Sequence, residues 1–235
     1  MFGHFWLGLA IMMAAHALAL YATLVPNCQW WGPVVTRFET REREVWLTID
    51  DGPDPRDLGK MLELLKAHEA QATFFLIGGL AQGSPREVRA ILDAGHEIGH
   101  HTYTHPETKF WRLGPRLQAW ELDHGTNAYR RAADAPPEMR PRVFRAPVGM
   151  RNPFLHPQLR TRGLTLVGWT ARGLDGKDRA EPLDVLDRLK KGIKPGAILV
   201  IHEGRDHSLD VLRLLLIELS TQGYRCVIPA AEQLR

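Results

Sequence analysis

Asp50 and Asp51 stand side by side in the run Thr48-Ile49-Asp50-Asp51-Gly52-Pro53. Val45 to Ile49 is apolar and rich in β-branched residues, which reads as a buried strand, and Gly52-Pro53 breaks it. Neighbouring side chains on an extended chain point to opposite sides, but a turn at the strand end can swing both carboxylates into one cleft. Two carboxylates in one small site stay ionised together cheaply only when a cation joins them. An Asp-Asp-Gly-Pro run by itself is equally an ordinary solvated turn. The second element lies fifty residues on, between Gly95 and Pro106, where His96, His100, His101 and His105 crowd into ten residues. Packing does not require that many imidazoles, and clusters at fixed spacing suggest metal ligation. On a helical turn His101 and His105 would face the same way, and so would His96 and His100, so spacing alone does not choose the pair. One carboxylate with two imidazoles is a three-ligand set that leaves positions open for water and substrate, as in hydrolytic metal sites.

These two segments resemble the first two motifs of the polysaccharide deacetylases (carbohydrate esterase family 4, the NodB-homology domain). Three further segments match in the expected order. Phe144-Arg145-Ala146-Pro147-Val148-Gly149 is similar to the arginine-proline motif, Gly168-Trp169 through Asp175 to the tryptophan-aspartate motif, and Ile198 to His202 to the closing strand that ends in histidine. The resemblance runs from about Val45 to Ile228. It implies that Asp51, His101 and His105 hold a divalent metal, which selects the later histidine pair. It implies Asp50 as general base towards the attacking water, with Arg145 beside it as an orienting cation. His202 would be the general acid that protonates the leaving amine, and Asp175 would orient and charge that imidazole. Pro147, Val148, Gly149 and Trp169 would shape the substrate pocket. Amide hydrolysis independently needs these parts: a nucleophile at neutral pH, an oxyanion site, here with backbone N–H groups near Val148, and a proton for the amine as it leaves.

Some positions depart from the family pattern. Val148 stands where Tyr is usual, Arg172 where an acidic residue is common, Gly176 where Trp is common, and His100 where Asn is frequent. The changes at 172 and 176 are expected to weaken the pairing of Asp175 with His202 and to remove an apolar wall. With the metal triad and both catalytic groups intact, the expectation is an active enzyme with an altered substrate preference.

The elements that must position these residues alternate from Val45 onward. After the first strand, Leu58 to His68 has helical spacing, Ala72 to Ile77 reads as a strand, and Arg86 to Ala94 as a helix entered through Ser84-Pro85. A long helix from about Leu113 to Ala132 precedes a proline-rich loop containing Pro136, Pro137 and Pro141, then a short strand Val143 to Arg145. Leu164 to Trp169 and Ala197 to His202 read as strands flanking a helix Leu183 to Lys191, and a helix Leu209 to Leu219 leads to a last strand Arg225 to Ile228. Alternation of this kind predicts parallel strands with outer helices, the candidate residues falling at strand C-terminal ends. The resemblance implies a distorted (β/α) barrel of about seven parallel strands. Trp46, Phe74 and Phe75 lie within strands and are expected in the core.

Phe5 to Val25 is apolar apart from His16 and Thr23 and lacks Lys, Arg, Asp and Glu. That length crosses a hydrocarbon core of roughly 30 Å. A cleaved signal peptide is the rival, but the run is long, no Lys or Arg precedes it, and no convincing small-x-small cleavage site precedes Pro26. An uncleaved anchor over residues 1–27, a juxtamembrane linker over 28–44 and a catalytic domain over 45–235 are therefore expected, with Trp30 and Trp31 at headgroup level. The anchor points to a bacterial cytoplasmic membrane. Arg37, Arg41 and Arg43 would hold the domain in the cytoplasm by the positive-inside rule, whereas members of the resembled family often act on envelope sugars outside.

A net charge of +3 on 30 basic and 27 acidic residues, interspersed, does not indicate nucleic-acid binding. Cys28 and Cys226 form no framework, and Cys226 in an apolar strand reads as a buried small hydrophobe. The leading function is a metal-dependent hydrolase removing an N-acetyl or related N-acyl group from an amino sugar in a polymer, an oligosaccharide or, given the anchor, a glycolipid. Zinc suits the ligand set best, and cobalt, nickel or manganese can replace it. Two rivals share the residues: a non-haem iron oxygenase, which also uses two His and a carboxylate but needs neither Asp50 nor His202, and a catalytically silent carbohydrate-binding homologue.

Overall fold

Strand β1, Glu44–Asp50, is the axis of the molecule, and its alternation decides where the carboxylates go. Val45, Leu47 and Ile49 belong to one buried cluster and Trp46 to another, each fully shielded from solvent. Period-two geometry then puts Trp46, Thr48 and Asp50 on the same face. In this computed structural model, which describes residues 2–136, 140–176 and 179–234, β1 is followed in order by α2 (Leu58–Ala67), β2 (Ala72–Leu76), α3 (Gly78–Gly83), α4 (Pro85–Asp93) and β3 (Glu97–His100). Then come α5 (Pro115–Ala133), β4 (Val143–Phe144), α6 (Leu155–Thr161), β5 (Thr165–Leu166), β6 (Ala171–Arg172), α7 (Pro182–Lys190), β7 (Ala197–His202), α8 (Ser208–Thr221) and β8 (Arg225–Cys226). A long apolar helix, α1 (Phe2–Leu24), precedes them all.

The strands run in the order β5-β4-β3-β2-β1-β7-β6, every pair parallel, and β8 pairs with the start of β1. This is the distorted barrel expected, seven strands along the path with a two-residue eighth beside them. Residues 35–38 bridge the seam. Val35 pairs with Val167 beyond β5, Arg37 pairs with Ala197 in β7, and the Phe38 amide donates to the Gly196 carbonyl at 2.9 Å.

Three buried clusters make the core, one of them around Phe110, Leu122 and Phe144. Apolar faces of α2, α7 and α8 cover the outward residues of β1, β2 and β7, while Val35, Phe38, Trp46, Phe75, Val143, Val167 and Ile198 form a second cluster. Each large apolar side chain removed from water in this way contributes about 1.5–3 kcal/mol. Trp46, Phe74 and Phe75 are core residues as expected, and Trp46 donates its indole N–H to Thr73 at 2.8 Å. Cys226 is buried, which pushes its thiol up to about 12, and both cysteines are free.

Three expectations need correction. The stretch over 28–44 is not all linker: Val34, Val35 and Phe38 are core residues, because the sheet seam exposes backbone and apolar surface that this segment covers. His101 and His105 do not share a helical turn, since β3 ends at His100 and a loop follows, with Thr102 and His105 in the left-handed region. The strand expected over Leu164 to Trp169 shortens to β5, Thr165–Leu166, with a single bridge at Val167, and a separate strand not read from the sequence, β6, follows at Ala171–Arg172 and pairs with β7 at the other end of the sheet. The loop at Pro136, Pro137 and Pro141 falls partly on residues 137–139, outside the described residues.

Candidate active site

The C-terminal ends of the strands surround a cleft of about 460 Å³ lined by Asp50, Asp51, His101, His105, Arg145, Val148, Gly149, Trp169 and His202, among others. Asp50 ends β1 in regular strand geometry, whereas Asp51 turns into the left-handed region at φ 73° before Gly52-Pro53. Both carboxylates reach the one cleft, as the turn after the strand led one to expect.

Arg145 organises the floor. It is fully buried, its Nη1 donates to Asp50 Oδ1 at 2.6 Å and to Thr48 Oγ1 at 2.8 Å, and its Nη2 donates to the Gly168 carbonyl at 2.9 Å. The guanidinium carbon lies 4.2 Å from the centre of the Phe75 ring, a favourable place for a desolvated cation. Burial pulls the guanidinium pKa down, and Asp50 opposes that pull. The backbone of Arg145 acts separately, as its carbonyl accepts a hydrogen bond from His101 Nδ1 at 2.8 Å.

That bond places the His101 lone pair on Nε2, which faces Asp51 Oδ1 at 3.5 Å, while His105 Nε2 faces the same oxygen at 3.4 Å. The ligand atoms of all three residues lie within 4.8 Å of one another. An ion about 2.1 Å from each ligand in tetrahedral array needs ligand atoms roughly 3.4 Å apart, so Asp51 stands at coordination spacing from both imidazoles. Protonation states agree with a ligand role. Burial alone would raise the Asp51 carboxyl, but His101, His202 and His105 around it draw it well below the usual carboxylate range. Burial lowers His105 to about 4, which keeps its imidazole neutral. The donor set therefore fits a divalent cation.

In the same cleft, His202 Nδ1 and Asp175 Oδ1 are 2.9 Å apart, and Asp175 Oδ2 accepts the His202 backbone N–H at 2.7 Å. Burial would lower the imidazolium, yet Asp175, with Asp50 and Asp51 beyond it, raises His202 to about 9. The expected weakening of this pair is not observed, because Asp175 is held by two hydrogen bonds to residue 202 itself and needs neither position 172 nor 176. Gly176 does open the wall: a Cβ there would sit 3.4 Å from the His202 ring.

The remaining predicted residues divide. Val148, Gly149 and Trp169 line the cleft, Val148 in the left-handed region at φ 48°, an uncommon conformation for a β-branched side chain. Pro147 is buried and does not line it, since it opens the tight turn that presents its two successors. His96 lies outside the candidate ligand cluster and packs on Phe74 in the core. His100 accepts the Thr102 N–H at Nδ1 and donates from Nε2 to the Leu122 carbonyl at 2.8 Å, so it shapes the ligand loop from behind. Sequence reasoning missed Arg205, whose Nη2 is 3.2 Å from Asp51 Oδ2, and Glu121, whose carboxylate accepts the Tyr103 and Thr104 N–H groups of the same loop. Arg205 lies three residues after His202, and that proximity was the available signal. Glu121 on α5 offered none.

Residues 37–167 match the polysaccharide deacetylase family. The chain belongs to that family. Its curated relatives are named as deacetylases, hydrolases of the amide bonds of N-acetylated sugars. A chitooligosaccharide deacetylase from Sinorhizobium fredii is 31% identical over 81% of this chain and 92% of its own length. A peptidoglycan-N-acetylglucosamine deacetylase from Bacillus cereus is 32% identical, covering 83% of this chain and 91% of its own. Among solved structures, a family 4 pseudoenzyme from Bacillus anthracis superimposes with a TM-score of 0.74 at 28% identity, over 85% of this chain and 68% of that one. The deacetylase fold and the cluster of Asp51, His101 and His105 thus occur together in this chain.

Proposed function

We propose that the chain is a metal-dependent hydrolase that removes an N-acetyl or related N-acyl group from an amino sugar. The observation that carries this reading is that two separately supported groups line the same cleft as the metal-ligand cluster: Asp50, held by Arg145, and His202, held by Asp175. Asp51, His101 and His105 would hold the cation, zinc being the first choice for two imidazoles and a carboxylate. When bound there, a divalent cation supplies Lewis acidity, making water a nucleophile near neutral pH and drawing charge from an amide carbonyl.

The chain's own groups perform the rest. Asp50 accepts the proton of the attacking water as its oxygen bonds to the amide carbon. The backbone N–H at Val148 meets the oxyanion that develops. His202 gives its proton to the nitrogen as the C–N bond breaks, leaving a carboxylate and a free amine. Substrate and anchoring belong to the same proposal: the relatives are named for chitooligosaccharide and peptidoglycan substrates, and α1 is long and apolar enough to cross a membrane, which favours a membrane-anchored bacterial enzyme of the cell envelope.

The similarity to a pseudoenzyme supports a second reading, a pocket that binds sugar without turnover. Acetate release by the full chain from N-acetylglucosamine oligomers and a peptidoglycan digest, with and without chelator and added zinc, separates the two. Chelator-sensitive release carries the hydrolase reading; sugar binding with a loaded metal and no release carries the other.

A further inference from the structure

The apolar helix ends on the wall of the cleft. α1 is apolar along its length and mostly exposed, and its 23 residues at about 1.5 Å each are enough for a bilayer core. Beyond Leu24 the chain is fastened to the domain. The Thr23 carbonyl accepts the Arg151 N–H at 3.2 Å, Trp31 donates to the Thr23 hydroxyl at 3.2 Å, and Asn27 donates to the Trp169 carbonyl at 2.8 Å. Pro26 approaches so closely that a Cβ on Gly149 would lie 2.5 Å from it. Gly149 and Trp169 line the cleft. Tyr21 and Trp30, rings 5.4 Å apart, sit at the same end, where amphipathic rings favour the membrane–water boundary. A flexible tether would let the domain reach a polymer far from the bilayer. A helix end fixed to the cleft wall holds the reacting centre at headgroup height.

A second pocket of about 280 Å³ shares Trp169 with the cleft and is otherwise lined by Asn27, Gln29, Thr36, Arg37, Thr170 and Lys194. It has two cations and, among the described residues, no carboxylate. Such a pocket at the membrane surface suits an anionic linkage. We propose that the substrate is an amino-sugar glycolipid of the bilayer that α1 crosses, its N-acyl sugar in the cleft and its phosphate linker in the Arg37–Lys194 pocket. The proposal rests on the amide-hydrolase reading above. Confinement of enzyme and lipid to one surface would supply the effective concentration that a soluble glycan lacks.

The test uses the full chain, zinc-loaded, in phosphatidylcholine vesicles with three substrates: polyprenyl-phosphate-linked N-acetylglucosamine, a neutral dialkyl glycolipid carrying the same sugar, and tri-N-acetylchitotriose. Acetate release should favour the phosphate-linked lipid over the neutral one by about tenfold in kcat/KM, with chitotriose below both. Arg37→Glu combined with Lys194→Glu should remove the preference between the two lipids. Chitotriose turned over faster than both lipids, or a phosphate preference that survives charge reversal, overturns the proposal while leaving the hydrolase intact. Release from no substrate overturns the hydrolase reading, and this proposal falls with it.

Discussion

Asp50 and His202 are register partners on adjacent parallel strands, β1 and β7. Neighbouring strands lie about 4.8 Å apart, so backbone pairing fixes the separation of the two groups before any side chain is placed. Both also fall on the same alternating face, with Trp46 and Thr48 below one and Ile198 and Val200 below the other. The arrangement predicts that each group can be silenced without moving the other or the ligand cluster. Asp50→Asn should keep metal binding and lose turnover by about 10³-fold, within the range for a positioned base. His105→Ala should instead lose the metal, read by calorimetry or bound-metal analysis. Unchanged acetate release in Asp50→Asn would remove Asp50 as the base.

Arg145 meets Asp50 through its side chain and His101 through its backbone, which separates two roles that mutation can read independently. Arg145→Lys keeps a positive charge but not the fork that spans Asp50, Thr48 and the Gly168 carbonyl. Turnover is expected to fall about 100-fold, in keeping with loss of a base's orientation. Zinc affinity should stay within roughly threefold, because the carbonyl that orients His101 is common to every residue type. A parallel loss of metal would show that the side chain, not the backbone, supports the ligand.

Legibility followed local composition. β1 and β7 were readable because apolar β-branched runs ending at turns have few other uses. β3 was not: Glu97–His100 contains a glycine and a histidine, and its four residues sit inside a histidine cluster that suggested a helical turn. A Cβ on Gly99 would lie 2.6 Å from the Phe75 ring, so the strand uses glycine to admit a neighbour's side chain, a requirement set by tertiary packing. The candidate metal triad was singled out through resemblance to a family, since two histidine pairs share the same spacing. Glu121 and the role of Val34 to Phe38 depend on contacts between distant segments, which no local pattern records, whereas Arg205 was marked only by its place three residues after His202.

His202 yields a pH prediction with a definite sign. Asp175 is the main group raising the imidazolium, to about 9, and a general acid works only while protonated. Activity should therefore decline as pH rises through that region. Asp175→Asn removes the raising interaction and leaves the burial that lowers it, so the alkaline limb moves to lower pH. A cation at Asp51 offsets the contribution of that carboxylate but leaves Asp175 untouched, so the direction holds in the loaded enzyme. The measurement is kcat against pH for both forms; an unmoved or upward-shifted limb would separate Asp175 from proton delivery.

Phe38 tests where the folded domain begins. It is fully buried among Trp46, Phe75, Val143, Val167 and Ile198, and its carbonyl lies against Gly196, where a Cβ would collide with it. Gly196 adopts φ +77°, so that close approach depends on a residue without a side chain. Phe38→Ala would leave a cavity at the sheet seam and cost about 3–5 kcal/mol, whereas Phe154→Ala, half exposed at 50%, should change stability by about 0.5 kcal/mol or less. Urea unfolding of the two variants reads the difference directly. A chain begun at residue 45 would lack Val34, Val35 and Phe38 together, and should be less stable than one begun at residue 33 by more than Phe38→Ala alone. Equal stability of those two chains would return the segment to the status of a linker.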